Sequence, residues 1–317
     1  MAHNFHLKRV PFSHIDRNDS TYSLSYYSEN QVPDALRDSI LRVGVLHPPI
    51  LKEKYADSFQ VITGKKRLQV IYESLAQSMC NCLIVPPETP ELTIFSIVLE
   101  DILTNRRPTP VEKALFFQKI ISFLDPQPAA DQFMPLMGLS PNPHLIKRFL
   151  ALLDLEVPII ESLNNGILDE KVALELTNLS FRDRMVVFEI IHQLNLSLGK
   201  QKKLLAIGKE LSIRLKNTVA DILSCKEVDE IINHPRANIP QKSSNLMAWL
   251  YQKRSPMLST AEKKFKQLIK ELDLPKGANL NHSLSFEKDT LTLSLDFKDE
   301  TQLRHTWNNI KESLSHS

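Results

Sequence analysis

Glycine is scarce in this sequence, with seven in 317 residues. Glycine is the residue of left-handed turns and close backbone approaches, so each of the seven is expected to have a backbone task. Cysteine is scarcer still, at three: Cys80, Cys82 and Cys225. That number excludes a disulfide scaffold. The C-x-C pair has no second pair to complete a zinc site, so reduced thiols and no metal centre are expected. No apolar run approaches the roughly 18–20 residues of a membrane-spanning helix. The opening stretch "MAHNFHLKRV" has no apolar core of the kind a signal peptide needs. A cytoplasmic location without a membrane partner is therefore expected. Charge of one sign is also missing: the net charge is only +2, so global charge does not announce nucleic acid.

What is present is an ordinary globular composition, 42% hydrophobic and 24% charged. At 317 residues the chain is long for one core, and two or three domains are expected. Nineteen prolines divide it into many short helices. Cations are concentrated locally. Lys200, Lys202, Lys203, Lys209, Arg214 and Lys216 fall together with Glu210 as the one acid among them. A second cluster runs from Lys253 to Lys276. A solvated helix face explains one such stretch; two of them suggest a phosphate-facing surface.

Residues 1–105 alternate between strand and helix. "KRVPFSHI", "VLHPPILKE", "SFQVIT" and "NCLIVPP" read as extended segments, the second interrupted by Pro48 and Pro49. "VPDALRDSILRVG" reads as a helix with Pro33 near its start and Gly44 past its end. In "FQVITGKKRLQVIYESL" a β-branched run meets Gly64, then Lys65, Lys66 and Arg67, then helical spacing through Leu68, Ile71, Tyr72 and Leu75. Free N–H groups and the positive end of a helix dipole favour an anion at such a junction, and the cations add charge and donors.

From Pro110 to about Tyr251 the pattern is helical throughout. "AADQFMPLMGLSPNPHLIKRFLALLDL" reads as a short helix, a turn at Gly138 and a second helix with a cap at Ser140, the helix-turn-helix arrangement. Leu145, Phe149 and Leu152 share its apolar face; Asn142, His144, Lys147 and Arg148 fall elsewhere. Pro135 inside the first helix fits no helical rule. From about Leu258 the pattern changes to αββα. "TAEKKFKQLIKEL" is amphipathic, and "HSLSFEKDTLTLSLDF" reads as a hairpin turning at Lys288-Asp289. Asp299 is a plausible cap for a last helix. Its Leu303, Trp307, Ile310 and Leu314 step by 4, 3 and 4, as in a coiled coil. So small a unit has little core of its own, which favours dimerisation through Leu291, Leu293, Leu295, Leu303, Trp307, Ile310 and Leu314.

Taken in order, these segments resemble the ParB family, the centromere-binding proteins of bacterial chromosome and plasmid partition. "LRDSILRVGVLHPPIL" looks like the family's helix and G-x-x-Q-P segment, and "VITGKKRLQVI" like its G-E-R-R-x-R-A box. "VLEDILTNRRPTPVEKALFFQKI" looks like the E-N-x-Q-R stretch and the N-P-x-E-x-A helix. "MGLSPNPHLIKRFLALLDLEVPIIESLNNGILDEKVALELTNL" looks like the helix-turn-helix with its leucine-rich continuation. The αββα tail resembles the dimerisation domain. The expected fold is α+β multidomain and mostly helical. It comprises a ParB/sulfiredoxin-like α/β domain at 1–109, an all-helical DNA-binding domain at 110–252, and an αββα dimerisation domain at 258–317.

The resemblance implies a nucleoid-associated homodimer on double-stranded DNA. It implies DNA contacts from Ser140, Asn142, His144, Lys147 and Arg148, with Lys200, Lys202 and Lys203 holding the backbone. It also implies CTP with a magnesium ion, held by Gly44, His47, Pro48, Gly64, Lys65, Lys66, Arg67, Asn105 and Arg106. The sequence departs from the family in places. Lys65 stands at the usual glutamate and His47 at the usual glutamine. An ungapped match puts Asp101 at the glutamate linked to hydrolysis and Ile102 at the asparagine that holds magnesium. A three-residue gap would instead set Thr104-Asn105 there, at the cost of an indel. Isoleucine has no oxygen for a hard cation, so a magnesium ligand is not expected and hydrolysis is expected to be weak or absent, with Asp101 the remaining catalytic candidate. A ParA-type ATPase partner is implied as well, but little chain precedes Leu7 to make that contact. Two rival readings stand beside this one. The first is an enzyme of the ParB/sulfiredoxin-like fold, a nuclease or a nucleotide-dependent kinase. The second is a ParB-like transcription regulator that has lost nucleotide use.

Overall fold

The computed structural model describes residues 5–25, 32–55, 57–274, 277–283, 290–304 and 306–307. Most of the described chain is helical, with a small mixed sheet. It divides into two compact units, Met1–Phe188 and Glu189–Ser317.

The first unit opens with β1 (His6–Pro11), β2 (Ile15–Asp16), α1 (Asp34–Val43), β3 (Ile50–Tyr55), β4 (Ser58–Thr63), α2 (Lys65–Ser74), β5 (Met79–Val85) and α3 (Glu91–Leu103). The five strands form one sheet in the order β1-β5-β3-β4-β2. β1/β5 and β3/β4 are antiparallel, while β3/β5 and β2/β4 are parallel. β3 begins only after Pro48 and Pro49, because proline cannot donate to a ladder. Pro49 still accepts, taking the Leu83 N–H at 2.9 Å. β4 is buried almost throughout, as a near-continuous apolar run predicts for an inner strand. α2 lies against the sheet: Leu68 and Ile71 pack among Phe59, Val61, Cys82 and Ile84. Val70, on its other side, packs with Ile40 of α1 and with Val32, which precedes that helix. Each such side chain contributes about 1.5–3 kcal/mol on leaving water. Tyr72 sits at the edge of the apolar face of α2, 44% exposed, with its ring against Phe12 and under Arg17. Cys80 and Cys82 are buried free thiols that pack in this core.

The unit continues with α4 (Pro110–Ile120), α5 (Pro126–Phe133), α6 (Pro143–Leu152), α7 (Val157–Asn164), α8 (Glu170–Leu176) and α9 (Phe181–Gln193), the last reaching across the boundary. Aromatic contacts tie α4 to α5 and α6: Phe116 meets Phe133 at 5.1 Å and Phe117 stacks on Phe149 at 6.1 Å. Three local expectations need correction. Pro135 does not interrupt a helix; α5 ends at Phe133, and Pro135 starts a separate 3-10 turn to Met137. The cap of α6 is Asn142, not Ser140, and its Oδ1 accepts the His144 N–H at 3.0 Å. Ser140 lies two residues upstream because Pro141 and Pro143 delay helical geometry. The buried seam of α6 is Ile146, Phe149 and Leu152, with Leu145 only half-buried.

The second unit holds α10 (Leu198–Leu215), α11 (Val219–Leu223), α12 (Lys226–Ile232), α13 (Ile239–Arg254), α14 (Pro256–Leu272), β6 (Ala278–His282) and β7 (Leu291–Leu295). α10 packs on α13, and Leu204 and Leu211 of the one and Leu246 and Leu250 of the other are fully buried. α13 is closed at its start by an Asn238/Gln241 capping box. The predicted hairpin is present, but its first strand lies at Ala278–His282, earlier than the sequence pattern placed it. Lys288 and Asp289, the expected turn, lie outside the described residues, as do Ile310 and Leu314. Asp299 caps as expected, accepting the Gln302 N–H at 2.8 Å.

Candidate anion cleft and nucleic-acid interface

The junction of β4 and α2 opens on a cleft of about 280 Å³. Its walls come from the 19–25 segment, the β4–α2 junction, the end of α3 and the start of α4. Gly64 caps α2 in the left-handed region, at φ 87° and ψ 20°. A Cβ there would sit 3.0 Å from Pro49 Cα and Cβ and 3.2 Å from Arg67 Nε. The space beside Gly64 is thus filled from within the chain, by the proline segment that leads into β3. Arg67 is held from two sides. Its Nη1 donates to His47 O at 2.6 Å, and its Nη2 lies 3.6 Å from Asp101 Oδ2.

Lys65, Lys66, Arg67 and Arg106 all line this cleft, as does Asp101. Gly44, His47, Pro48 and Asn105 fall outside its lining; His47 reaches it only through the carbonyl that accepts from Arg67. Asn105 folds back on its own helix end, donating to Asp101 O at 2.7 Å. Arg106 makes a two-pronged pair with Glu112, at 2.5 and 2.6 Å. Glu112 is buried and also accepts the Thr109 N–H at 2.8 Å in a capping box that starts α4. The Thr-x-x-Glu spacing of 109–112 is the signal by which the sequence could have revealed that acid.

Asp19, Tyr22 and Thr63 also line the cleft and were not anticipated. Asp19 and Tyr22 sit in a segment without periodicity, where no pattern points to them. Burial opposes ionisation of Asp19, but hydrogen bonds from Thr21 and Gln60 outweigh it and hold its pKa below the usual value. Burial, then the Glu91 hydrogen bond, pushes the Tyr22 phenol well above its ordinary pKa. Glu91 accepts from Tyr22 at 2.9 Å and from Lys52 at 2.7 Å, pinning the segment to the start of α3. Lys119 of α4 points its Nζ at Ser20 O, 3.4 Å away; burial lowers its pKa against the pull of Asp19. Thr63 is 8% exposed, and its hydroxyl has no hydrogen-bond partner among the described residues.

The outward face of α6 carries Asn142, His144, Lys147 and Arg148, all exposed, so His144 has no core role. Arg148 rests 3.4 Å from Glu175, an exposed pair of little energetic weight. The turn before α6 uses Gly138 in the left-handed region, with open space around it. In the second unit Lys202 and Lys203 are exposed on α10. Lys200 is half-buried instead and donates to Ser243 Oγ at 2.8 Å, so it braces α10 against α13. On the hairpin, Leu291 and Leu293 are about half exposed, and so are Leu303 and Trp307 beyond it, while Leu295 is half-buried.

No helix among the described residues is long and apolar enough to cross a membrane. No protein-family model matches the chain, and no curated protein does. Solved structures do match. A C-terminally truncated chromosome-partitioning protein ParB from Caulobacter crescentus, complexed with CTP-gamma-S, matches at 17% identity, covering 55% of this chain and 93% of its own, with a TM-score of 0.27. The same protein complexed to the centromeric parS site matches at 16% identity, over 62% of this chain and 97% of its own, with a TM-score of 0.36. A pNOB8-like ParB N-domain matches at 17% identity, over 77% of this chain and 96% of its own, with a TM-score of 0.37. Scores of this size carry no residue-by-residue correspondence. By the motifs along its sequence, the family this chain resembles is ParB.

Proposed function

We propose that this chain is a sequence-specific, dimeric DNA-binding protein of the ParB type, acting in chromosome or plasmid partition and responsive to CTP. The observation that carries the reading is the α6 face. One short helix, entered by a tight glycine turn, presents Asn142, His144, Lys147 and Arg148 to solvent, while Ile146, Phe149 and Leu152 fasten it to the core. Amide, imidazole and guanidinium groups on an exposed helix are the chemistry that reads base edges and phosphates in a major groove. In this reading Lys202 and Lys203 add backbone contacts and Lys200 fixes their helix. Residues 1–109 bind nucleotide, 110–252 bind DNA and 258–317 dimerise through the apolar hairpin face. CTP occupies the cleft at Gly64–Arg67, with turnover weak or absent.

A regulator of the same architecture without nucleotide use is the second reading; Ile102 and the Arg67–Asp101 pair favour it. The test is a mobility shift on DNA recovered by selection with the full chain. Lys147→Ala with Arg148→Ala should weaken binding at least tenfold, since each lost contact costs on the order of 1 kcal/mol or more. An unchanged shift would remove α6 from the interface.

A further inference from the structure

The magnesium ion that the resemblance implies does not fit this cleft. A hard divalent cation needs several oxygen ligands free to turn toward it. Three carboxylates line the cleft, and each is engaged. Asp19 accepts from Thr21 and Gln60, Glu112 accepts from Arg106 and Thr109, and Asp101 faces Arg67. Ile102, beside Asp101, offers no donor at all. The described residues hold no group of three or more carboxylate, imidazole or thiolate side chains that could take a metal.

The cleft is better furnished for a bare anion. α2 is ten residues long and turns its N-terminus to the cleft, with Lys65, Lys66 and Arg67 in its first turn. Independent of the helix end, Thr63 lines the cleft, and its hydroxyl is buried and lacks a partner among the described residues. A buried hydroxyl without a partner carries a desolvation cost that a ligand oxygen would remove. The two acid–arginine pairs differ in kind. Arg106–Glu112 is close, two-pronged and built into the start of α4, so it stays. Arg67–Asp101 stands at 3.6 Å, too long for a hydrogen bond, and the Asp101 side chain is 36% exposed. Such a loose pair can exchange its acid for another anion.

The geometry points to a phosphate site that works without a divalent cation, in which Asp101 is the resident counter-anion of Arg67 and the Thr63 hydroxyl is a ligand donor. It rests on the reading of the cleft as a phosphate site. An incoming phosphate takes the Thr63 O–H and the Arg67 guanidinium, and Asp101 swings toward water. Asp101 therefore opposes binding. Neutralising it removes one negative charge next to the phosphate and leaves the cleft's cations unchanged.

The experiment is calorimetry on the full chain with two probes, CTP and inorganic tripolyphosphate, each in magnesium and in EDTA. Thr63→Val keeps the side-chain shape, and Asp101→Asn keeps its size; thermal melting of both variants checks that they fold. The expected result is affinity in EDTA at least equal to that in magnesium, about fivefold weaker for Thr63→Val and about tenfold tighter for Asp101→Asn. CTP binding that requires magnesium would overturn this inference while leaving the nucleotide reading intact. So would weaker binding by Asp101→Asn, or a Thr63→Val variant equal to the native chain. Tripolyphosphate binding in EDTA with both variant effects, but no gain from the nucleoside, would uphold the anion site and discard CTP. Binding of neither probe would discard both.

Discussion

Adding one methyl group at Gly64 tests the account of how the cleft is built. Gly64 and Gly138 share the left-handed region, at φ 87° and 74°, and both belong to the first unit. An L-residue pays about 1 kcal/mol or somewhat more for that conformation. At Gly138 nothing lies within 4 Å of the new Cβ, so Gly138→Ala should cost that much and no more. At Gly64 the new Cβ meets Pro49 Cα and Cβ at 3.0 Å. One of those atoms is backbone, and the Pro49 carbonyl is held by the Leu83 N–H. Relief therefore means displacing β3, an overpacking cost of about 1–3 kcal/mol. Gly64→Ala should lose about 3 kcal/mol in all. Hydrogen exchange at β3, β4 and α2 reads this locally. Equal losses for the two variants would refute the close approach of Pro49.

Other perturbations separate the remaining contacts. Lys202→Ala with Lys203→Ala should lower the salt slope of DNA binding by about 2, as two lost phosphate contacts would. Lys200→Ala should leave that slope unchanged and destabilise the second unit, because its partner is Ser243. Leu291→Asp with Leu293→Asp should convert a dimer to monomer in light scattering and lower operator affinity; a dimer that persists would remove the hairpin from the interface. Arg184 hydrogen bonds hold the Glu156 pKa below its usual value, against burial, so that its stabilising contribution is complete above the usual glutamate range and is lost as pH falls through the lowered value. Glu156→Gln should flatten this acid limb in a thermal-melting series; an unaltered limb would contradict the pairing.

Much of this molecule was legible because local chemistry agreed with the fold. The β-branched run ending at Gly64 became β4 and the glycine became a helix cap, since only glycine fits both the left-handed φ and the gap beside Pro49. The Asp299 cap and the Phe149/Leu152 seam of α6 followed from spacing alone. Partners distant in sequence were not legible. Nothing near Arg67 announces Asp101, nothing near Lys200 announces Ser243, and the unpaired Thr63 hydroxyl emerges only when β4 is buried. The cap of α6 moved from Ser140 to Asn142 because two prolines govern where helical geometry can begin.

The most direct test of the central reading is genome-wide DNA capture by the purified full chain, with and without CTP. A ParB-type protein should recover a few discrete sites sharing one motif at physiological salt, with the distribution around them altered by CTP. Uniform recovery that follows only DNA length and vanishes with added salt would contradict it.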